Sequence, residues 1–274
     1  MTILHDYKLV NIVGKGRYGE VWKAQHIVNK KKVAIKIEKK LSGTLKREVV
    51  ILRHLKHLSC IPELKIFGQT ISYSYIAMEL LGDTIEVYCN MLSEQEKTNE
   101  IKWIGLKMMD CLREIHENGV IHCDVTPGNF ILTKDKKKVK IVDFGLARQF
   151  VDSQGHHKLV KRHMNMTGTL LYMSTHIHEG YEPCRRDDVI SVIYVISYLL
   201  NSTLPWQYTS NLGNIEKNQL IYQMKKCVTG YDLHNSVFSK MNDLLEYVYS
   251  LTYYDDVDYD YMSFLIKTLD SVVK

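Results

Sequence analysis

The sequence predicts an α+β fold in two parts, a small β-rich part followed by a larger helical one. Three observations predict it. Strand-like segments crowd the stretch from Tyr7 to Glu79. From Ser93 onward apolar residues recur at helical spacing. No repeat or low-complexity linker interrupts the 274 residues, and 45% apolar with 24% charged residues is ordinary globular composition. That length leaves room for one large domain or two lobes around a cleft.

The elements read off in order. Tyr7 to Val13 and Gly19 to Gln25 flank a glycine turn, and Lys32 to Glu38 alternates in the β manner. A helix is expected from Thr44 to Leu58, with Leu45, Val49, Leu52 and Leu55 on one face. Strands follow near Ile66–Gln69 and Tyr75–Glu79. Ser93-Glu94-Gln95-Glu96 has the form of a capping box, and the helix it opens carries Ile101, Ile104, Met108, Leu112 and Ile115 before stopping at Asn118-Gly119. A strand pair, Phe130–Leu132 and Val139–Val142, encloses a lysine-rich turn. The remainder reads as helix and loop, with the join between the two parts near Glu79 to Asp83.

The net charge of +5 is a weak basic balance that favours anionic partners without choosing among them. The six cysteines form no C-x-x-C pair, so reduced thiols in a cytoplasmic or nuclear protein are expected, with no zinc framework. The start, Met1 to Asp6, has no signal-peptide pattern, and Thr2 stands where myristoylation needs glycine. Val189 to Leu200 is apolar for about a dozen residues, which suits a buried helix and not a membrane span.

Chemistry first shows at Gly14-Lys15-Gly16-Arg17-Tyr18-Gly19-Glu20-Val21. Glycines let backbone N–H groups approach phosphates, because no Cβ intervenes. A plain hairpin explains the same residues. A Rossmann dinucleotide site would need a helix directly after the loop, and here a strand follows. Val33-Ala34-Ile35-Lys36 places a lysine on the next strand, able to reach under the loop to α/β phosphates, and Glu48 on the following helix can hold it by an ion pair. Either side chain alone reads equally as a solvated surface charge. His122-Cys123-Asp124-Val125-Thr126-Pro127-Gly128-Asn129 and Asp143-Phe144-Gly145 supply the rest. Asp124 can orient or accept a hydroxyl proton, and Asn129 and Asp143 are hard oxygen ligands suited to Mg²⁺. Singly, each is an Asp in a turn. All four motifs in this order at workable spacing are hard to obtain by chance.

In these motifs the chain resembles a protein kinase over nearly its whole length. Further residues are similar to the casein kinase I family: Thr167-Gly168-Thr169 before Tyr172, Arg185-Arg186-Asp187-Asp188, Leu204-Pro205-Trp206, Met78-Glu79-Leu80-Leu81-Gly82 and Asp258-Tyr259-Asp260-Tyr261. Ser174-Thr175-His176 stands where most kinases have Ala-Pro-Glu and this family has Ser-Ile-Asn, so the match there is partial. The resemblance implies the bilobal protein kinase fold, with a small β-rich N-lobe and hinge over 1–81 and a larger helical C-lobe over 82–274. It implies ATP and Mg²⁺ as cofactors and serine or threonine hydroxyls of proteins as acceptors. It makes Met78 the gatekeeper, Glu79 to Leu81 the hinge that hydrogen-bonds adenine, Val21, Ala34 and Ile131 the residues that sandwich the base, and Asp188 a brace for the catalytic loop. Acidic protein substrates, a monomeric state, and no membrane or nucleic-acid partner are expected. The chain ends soon after its last helix, so control by partners or abundance, without a long regulatory tail, is expected too.

Three departures from the family bear on activity. Cys123 replaces the usual Arg before the catalytic Asp, which implies activity not gated by activation-loop phosphorylation. Thr126 replaces the Lys that neutralises the transferring γ-phosphate, and losing one such donor costs on the order of 10²–10³ in rate. Lys15, Arg17 and Arg148 are the candidates to compensate. Leu171 and Met164 stand where the family has basic residues that receive a phosphate already on the substrate, so weak preference for primed substrates is expected. The alternative that these departures motivate is a pseudokinase scaffold that binds nucleotide without transfer. Against it, Lys36, Asp124, Asn129 and Asp143 are all present.

Other features receive the plainer reading. Lys134 and Lys136 to Lys138 are expected to be a solvated turn and not a nucleic-acid site. His156-His157 lacks partners at metal spacing. Tyr253-Tyr254-Asp255-Asp256 is expected to be a surface loop, and Cys123 an inert thiol.

Overall fold

The computed structural model describes residues 3–16, 19–41, 43–162, 166–207, 213–230 and 241–269. In chain order the first elements are β1 (Ile3–Leu4), β2 (Tyr7–Lys15), β3 (Gly19–His26), β4 (Lys32–Lys39), α1 (Thr44–His54), β5 (Leu64–Gln69) and β6 (Tyr73–Glu79). There follow α2 (Ile85–Asn90), α3 (Glu94–Glu117), β7 (Val120–Ile121), a 3₁₀ turn (Pro127–Asn129), β8 (Phe130–Leu132), β9 (Val139–Ile141) and β10 (Arg148–Gln149). The chain then turns to helices α4 (Thr175–His178), α5 (Arg185–Asn201), α6 (Asn214–Gly230), α7 (Asn242–Ser250) and α8 (Tyr259–Thr268). It divides into two compact units, Met1–Asp83 with Ile131–Leu146, and Thr84–Phe130 with Ala147–Lys274.

The first unit is built on a six-stranded sheet in the order β1-β2-β3-β4-β6-β5, with every described pairing antiparallel. Strand alternation sends Tyr7, Leu9, Ala24, Val33, Ile35, Tyr75 and Ala77 into one cluster. Helix α1 buries Leu45, Val49 and Leu52, the stripe its spacing predicts. It ends at His54 instead of continuing to Leu58, because Leu55 leaves the helical conformation and Leu58 N turns back to Leu55 O at 3.0 Å. β2 and β3 are out of simple register at two places, the second between Ile12 and Gly14, where the chain enters the glycine loop. Gly19 is fixed by close approach. A Cβ there would lie 1.9 Å from the Ile37 carbonyl oxygen. β8 and β9 join this unit through hydrogen bonds from Gly82 N to Leu132 O (2.8 Å), Leu132 N to Asp83 O (2.9 Å) and Ile141 N to Cys60 O (2.9 Å).

The second unit is helical. α3 opens with Glu96 Oε2 accepting from Ser93 N (3.1 Å) and Ser93 Oγ (2.6 Å), and it closes at Asn118 and Gly119, whose φ is 73°. α5 is apolar on every side and buried throughout its centre, from Val189 to Ser197, as an internal helix must be. Gly105 of α3 allows close packing against Ile196 of α5. Trp206 is fully buried against Tyr194, and its Nε1 donates to Leu171 O at 2.9 Å. Among the described residues no helix is long and apolar enough to cross a membrane.

Candidate active site

In the first unit, Lys36 and Glu48 come from neighbouring elements, β4 and α1, and Asp143 follows β9. Lys36 Nζ lies 2.7 Å from Glu48 Oε2 and 2.7 Å from Asp143 Oδ1. Glu48 is 1% exposed, Lys36 13% and Asp143 44%, so the lysine bridges a sealed anchor and an accessible carboxylate. Burial pulls the Lys36 ammonium down, but the charges and hydrogen bonds of Glu48 and Asp143 outweigh it and hold the group above the ordinary lysine value. The lysine therefore stays charged, as phosphate binding requires. Asp143 has φ 63°, a left-handed conformation that is uncommon outside glycine and costs of order 1–3 kcal/mol. Its Oδ1 also accepts from Gly145 N at 3.2 Å, which helps hold that turn.

The same unit carries the residues assigned to the nucleotide. Gly14 pairs with Val21 across the β2–β3 hairpin, and Gly16 N donates to Gly19 O at 2.9 Å within the loop. Ala34 sits opposite Met78 in the β4–β6 register. Met78 is buried, while Val21, Ala34, Glu79, Leu81 and Ile131 are partly exposed. Lys15 extends from the loop toward Glu20 at 3.7 Å and is largely exposed. Arg17 and Met164 lie outside the described residues.

The second unit carries Asp124 and Asn129. Asn129 Nδ2 donates to Asp124 O at 2.9 Å, so its carboxamide oxygen is directed away from that bond. Thr169 Oγ1 donates to Asp124 Oδ1 at 2.7 Å. Beneath the loop, Asp188 at the start of α5 accepts from His122 N (2.7 Å) and Cys123 N (2.9 Å) and meets His116 Nε2 at 3.0 Å. These bonds hold Cys123 at φ 65°. The Cys123 thiol is buried, and burial, reinforced by the Asp188 charge, pushes it well above the ordinary thiol value. Thr126 caps the 3₁₀ turn, with Asn129 N donating to its carbonyl at 3.1 Å. Arg148 donates to Thr167 Oγ1 at 3.1 Å and approaches Glu182 at 3.5 Å, so its charge is already shared.

Residues 7–255 match the protein kinase domain family. The chain belongs to the protein kinase family. Kinases of this family take ATP as phosphate donor and protein hydroxyls as acceptors. The chain is 28% identical over 270 residues to "Casein kinase I homolog 3" of Schizosaccharomyces pombe, spanning 96% of this chain and 62% of that one. It is 29% identical over 271 residues to a chain of Encephalitozoon cuniculi named a casein kinase I homolog, spanning 97% of this chain and 89% of that one.

Several residues around the site escape a sequence reading. Thr169 is legible as part of a family pattern but not as a partner of Asp124. His116 sits in the apolar stripe of α3, and its Nδ1 contacts the Tyr259 hydroxyl while its Nε2 meets Asp188. Ser174 Oγ donates to Asp187 Oδ1, which joins the segment before α4 to α5. Lys225 of α6 is fully buried and donates to the carbonyls of Leu170 and Met173, both at 2.7 Å. No local spacing marks these residues, because each partner is distant in sequence.

Proposed function

We propose that this chain is a casein kinase I-like serine/threonine kinase that transfers the γ-phosphate of ATP to hydroxyls of protein substrates, acidic ones among them. The observation that carries the reading is the Lys36 bridge between Glu48 and Asp143, a charged lysine prepared for the α/β phosphates. The glycine loop, with Gly14, Gly16 and Gly19, covers the phosphates. Met78, Glu79 and Leu81, with Val21, Ala34 and Ile131, take the adenine.

The donor chemistry fits Mg²⁺. Asp143 offers an accessible carboxylate, and Asn129 offers a carboxamide oxygen because its nitrogen is committed to Asp124 O. Each is a hard oxygen donor of the kind that Mg²⁺ would take. When bound, the ion neutralises phosphate charge. Asp124 orients the acceptor hydroxyl, whose oxygen forms the new bond to γ-phosphorus as the bond to the β–γ bridging oxygen breaks. The hydroxyl proton passes to the Asp124 carboxylate and ADP leaves.

Preference for primed substrates is weak in this reading. Cys123 and Leu171 are neutral, and Arg148 is shared with Glu182. The chain works as an intracellular monomer. The test is labelling of casein with radiolabelled ATP and Mg²⁺, followed by identification of the phosphorylated amino acids. Phosphoserine and phosphothreonine are expected. Label confined to phosphotyrosine, or no label at all, overturns the reading.

A further inference from the structure

The lysine-rich turn between β8 and β9 is exposed, as its composition predicts, but it also borders a cavity. A hollow of about 1070 Å³ lies within the first unit. Lys30, Lys31 and Lys32 reach it from the β3–β4 hairpin, Lys134 and Lys138 from the β8–β9 turn, and Lys65 from β5. Both turns are braced by their own hydrogen bonds: His26 N to Lys31 O at 2.9 Å and Lys31 N to Asn29 Oδ1 at 3.0 Å in one, Thr133 N to Lys138 O at 2.9 Å and Lys136 N to Thr133 O at 2.8 Å in the other. The lysines are thus presented by fixed backbone.

Seven lysines line the hollow against two carboxylates, and both carboxylates are committed. Glu79 is paired with Lys140 at 2.7 Å. Burial pushes the Glu79 carboxyl up, but the Lys140 hydrogen bond and the other donors prevail and hold it below its ordinary value. Asp135 Oδ1 is engaged by Thr133 Oγ1 and Lys137 N inside its own turn. Among the described residues no carboxylate lies within ion-pair distance of Lys30, Lys31, Lys32, Lys134 or Lys138. Five positive charges therefore converge on a concavity without compensation. Side chains of Tyr7, Val33, Leu80 and Leu81 add apolar surface to its lining.

We infer that this hollow is a docking site for an acidic, extended segment of a protein partner. The lining contains no arginine, the side chain that grips phosphate in two-pronged fashion. Of its two rings, Tyr7 is buried and stands edge-on to the partly exposed His26, so Tyr7 offers no face for base stacking. Point-charge lysines around a partly apolar floor suit alternating carboxylates and apolar side chains better than a nucleic acid backbone. Lys36, Glu48 and Asp143 do not line the hollow, but Glu79 and Leu81 do, so it lies beside the residues assigned to adenine and apart from those assigned to the phosphates.

The test is fluorescence anisotropy with a labelled peptide of about ten alternating glutamates and leucines. The wild-type chain is compared with Lys31→Glu/Lys134→Glu/Lys138→Glu and with Lys40→Glu/Lys46→Glu/Lys56→Glu, a variant of the same net charge altered at exposed positions outside the hollow. The peptide is expected to bind the wild type, to weaken about tenfold or more in the first variant, and to change about twofold or less in the second. No binding to the wild type overturns the inference, as does equal weakening in both variants. A single-stranded oligonucleotide that binds tighter than the peptide and is lost in the first variant only overturns the assignment to protein.

Discussion

Thr169 Oγ1 donates a 2.7 Å hydrogen bond to Asp124 Oδ1, which ties the segment after Gly168 to the loop that holds the hydroxyl-orienting carboxylate. Gly168 makes this approach possible. Its φ is 103°, and a Cβ there would stand 2.6 Å from the Cys123 carbonyl oxygen. Thr169→Val keeps the shape and removes the donor. It is expected to lower kcat about 10- to 100-fold, the worth of a hydrogen bond to a charged group, with the KM for ATP little changed. Steady-state kinetics with ATP varied at saturating protein substrate separates the two constants.

Thr126 brings no charge to the position where the family resemblance implies a lysine. Its backbone carbonyl accepts from Asn129 N, a bond that any side chain preserves. Thr126→Lys is therefore expected to raise kcat, by up to about 10² if nothing else supplies the missing charge, while Thr126→Ala leaves kcat nearly unchanged. Equal rates for Thr126→Lys and wild type would assign the charge to another group. Lys15 is then the first candidate, since Arg148 is shared with Glu182.

The Lys36–Glu48 pair gives a stability prediction. Lys36→Met strands the Glu48 carboxylate in a site only 1% exposed. That is expected to cost about 3–5 kcal/mol, and Lys36→Met/Glu48→Met is expected to recover much of it. Urea denaturation of the two variants and the wild type checks the order.

The fold and the motif loops were largely legible in the sequence because their signals are local. Strand alternation placed β2 to β6, and the Ser93–Glu96 pair placed the start of α3. Glycine spacing placed the loop before Gly19. What was not legible depends on long-range partners. The missed Lys225 reads as an ordinary lysine beside Lys226, yet it is buried against carbonyls more than fifty residues away. The turn at Lys134 to Lys138 read correctly as exposed. Its charge acquires a context only when the β3–β4 hairpin supplies a second row of lysines. The Tyr253–Asp256 loop reads as surface, and it is, but the Tyr254 hydroxyl also accepts from Val160 N at 3.1 Å and the loop carries the Arg185–Asp256 pair.

Histidine burial sets the acid side of stability. Burial, aided by the Lys225 charge, pulls His178 from 6.5 down to about 3. Burial also lowers His116, against the pull of Asp188. A neutral buried histidine stabilises fully above its unfolded value of 6.5, and that contribution is lost as pH falls from 6.5 toward 3. Urea midpoints are expected to drop between about pH 7 and about pH 5, and His178→Asn is expected to show a shallower drop.

Priming is decided by comparing a phosphopeptide carrying an upstream phosphoserine with its unphosphorylated form. With Cys123 and Leu171 neutral and Arg148 near Glu182, kcat/KM is expected to differ by about threefold or less. A far larger advantage for the phosphopeptide would mean that other cations receive the phosphate.

The most direct measurement is phosphate transfer from radiolabelled ATP to casein by wild type and Asp124→Asn, with ATP binding followed in parallel. Transfer by the wild type, abolished in Asp124→Asn while ATP binding persists, is the predicted result. A wild type that binds ATP without transferring phosphate, or transfer unchanged in Asp124→Asn, would contradict the assignment of a working kinase centred on Asp124.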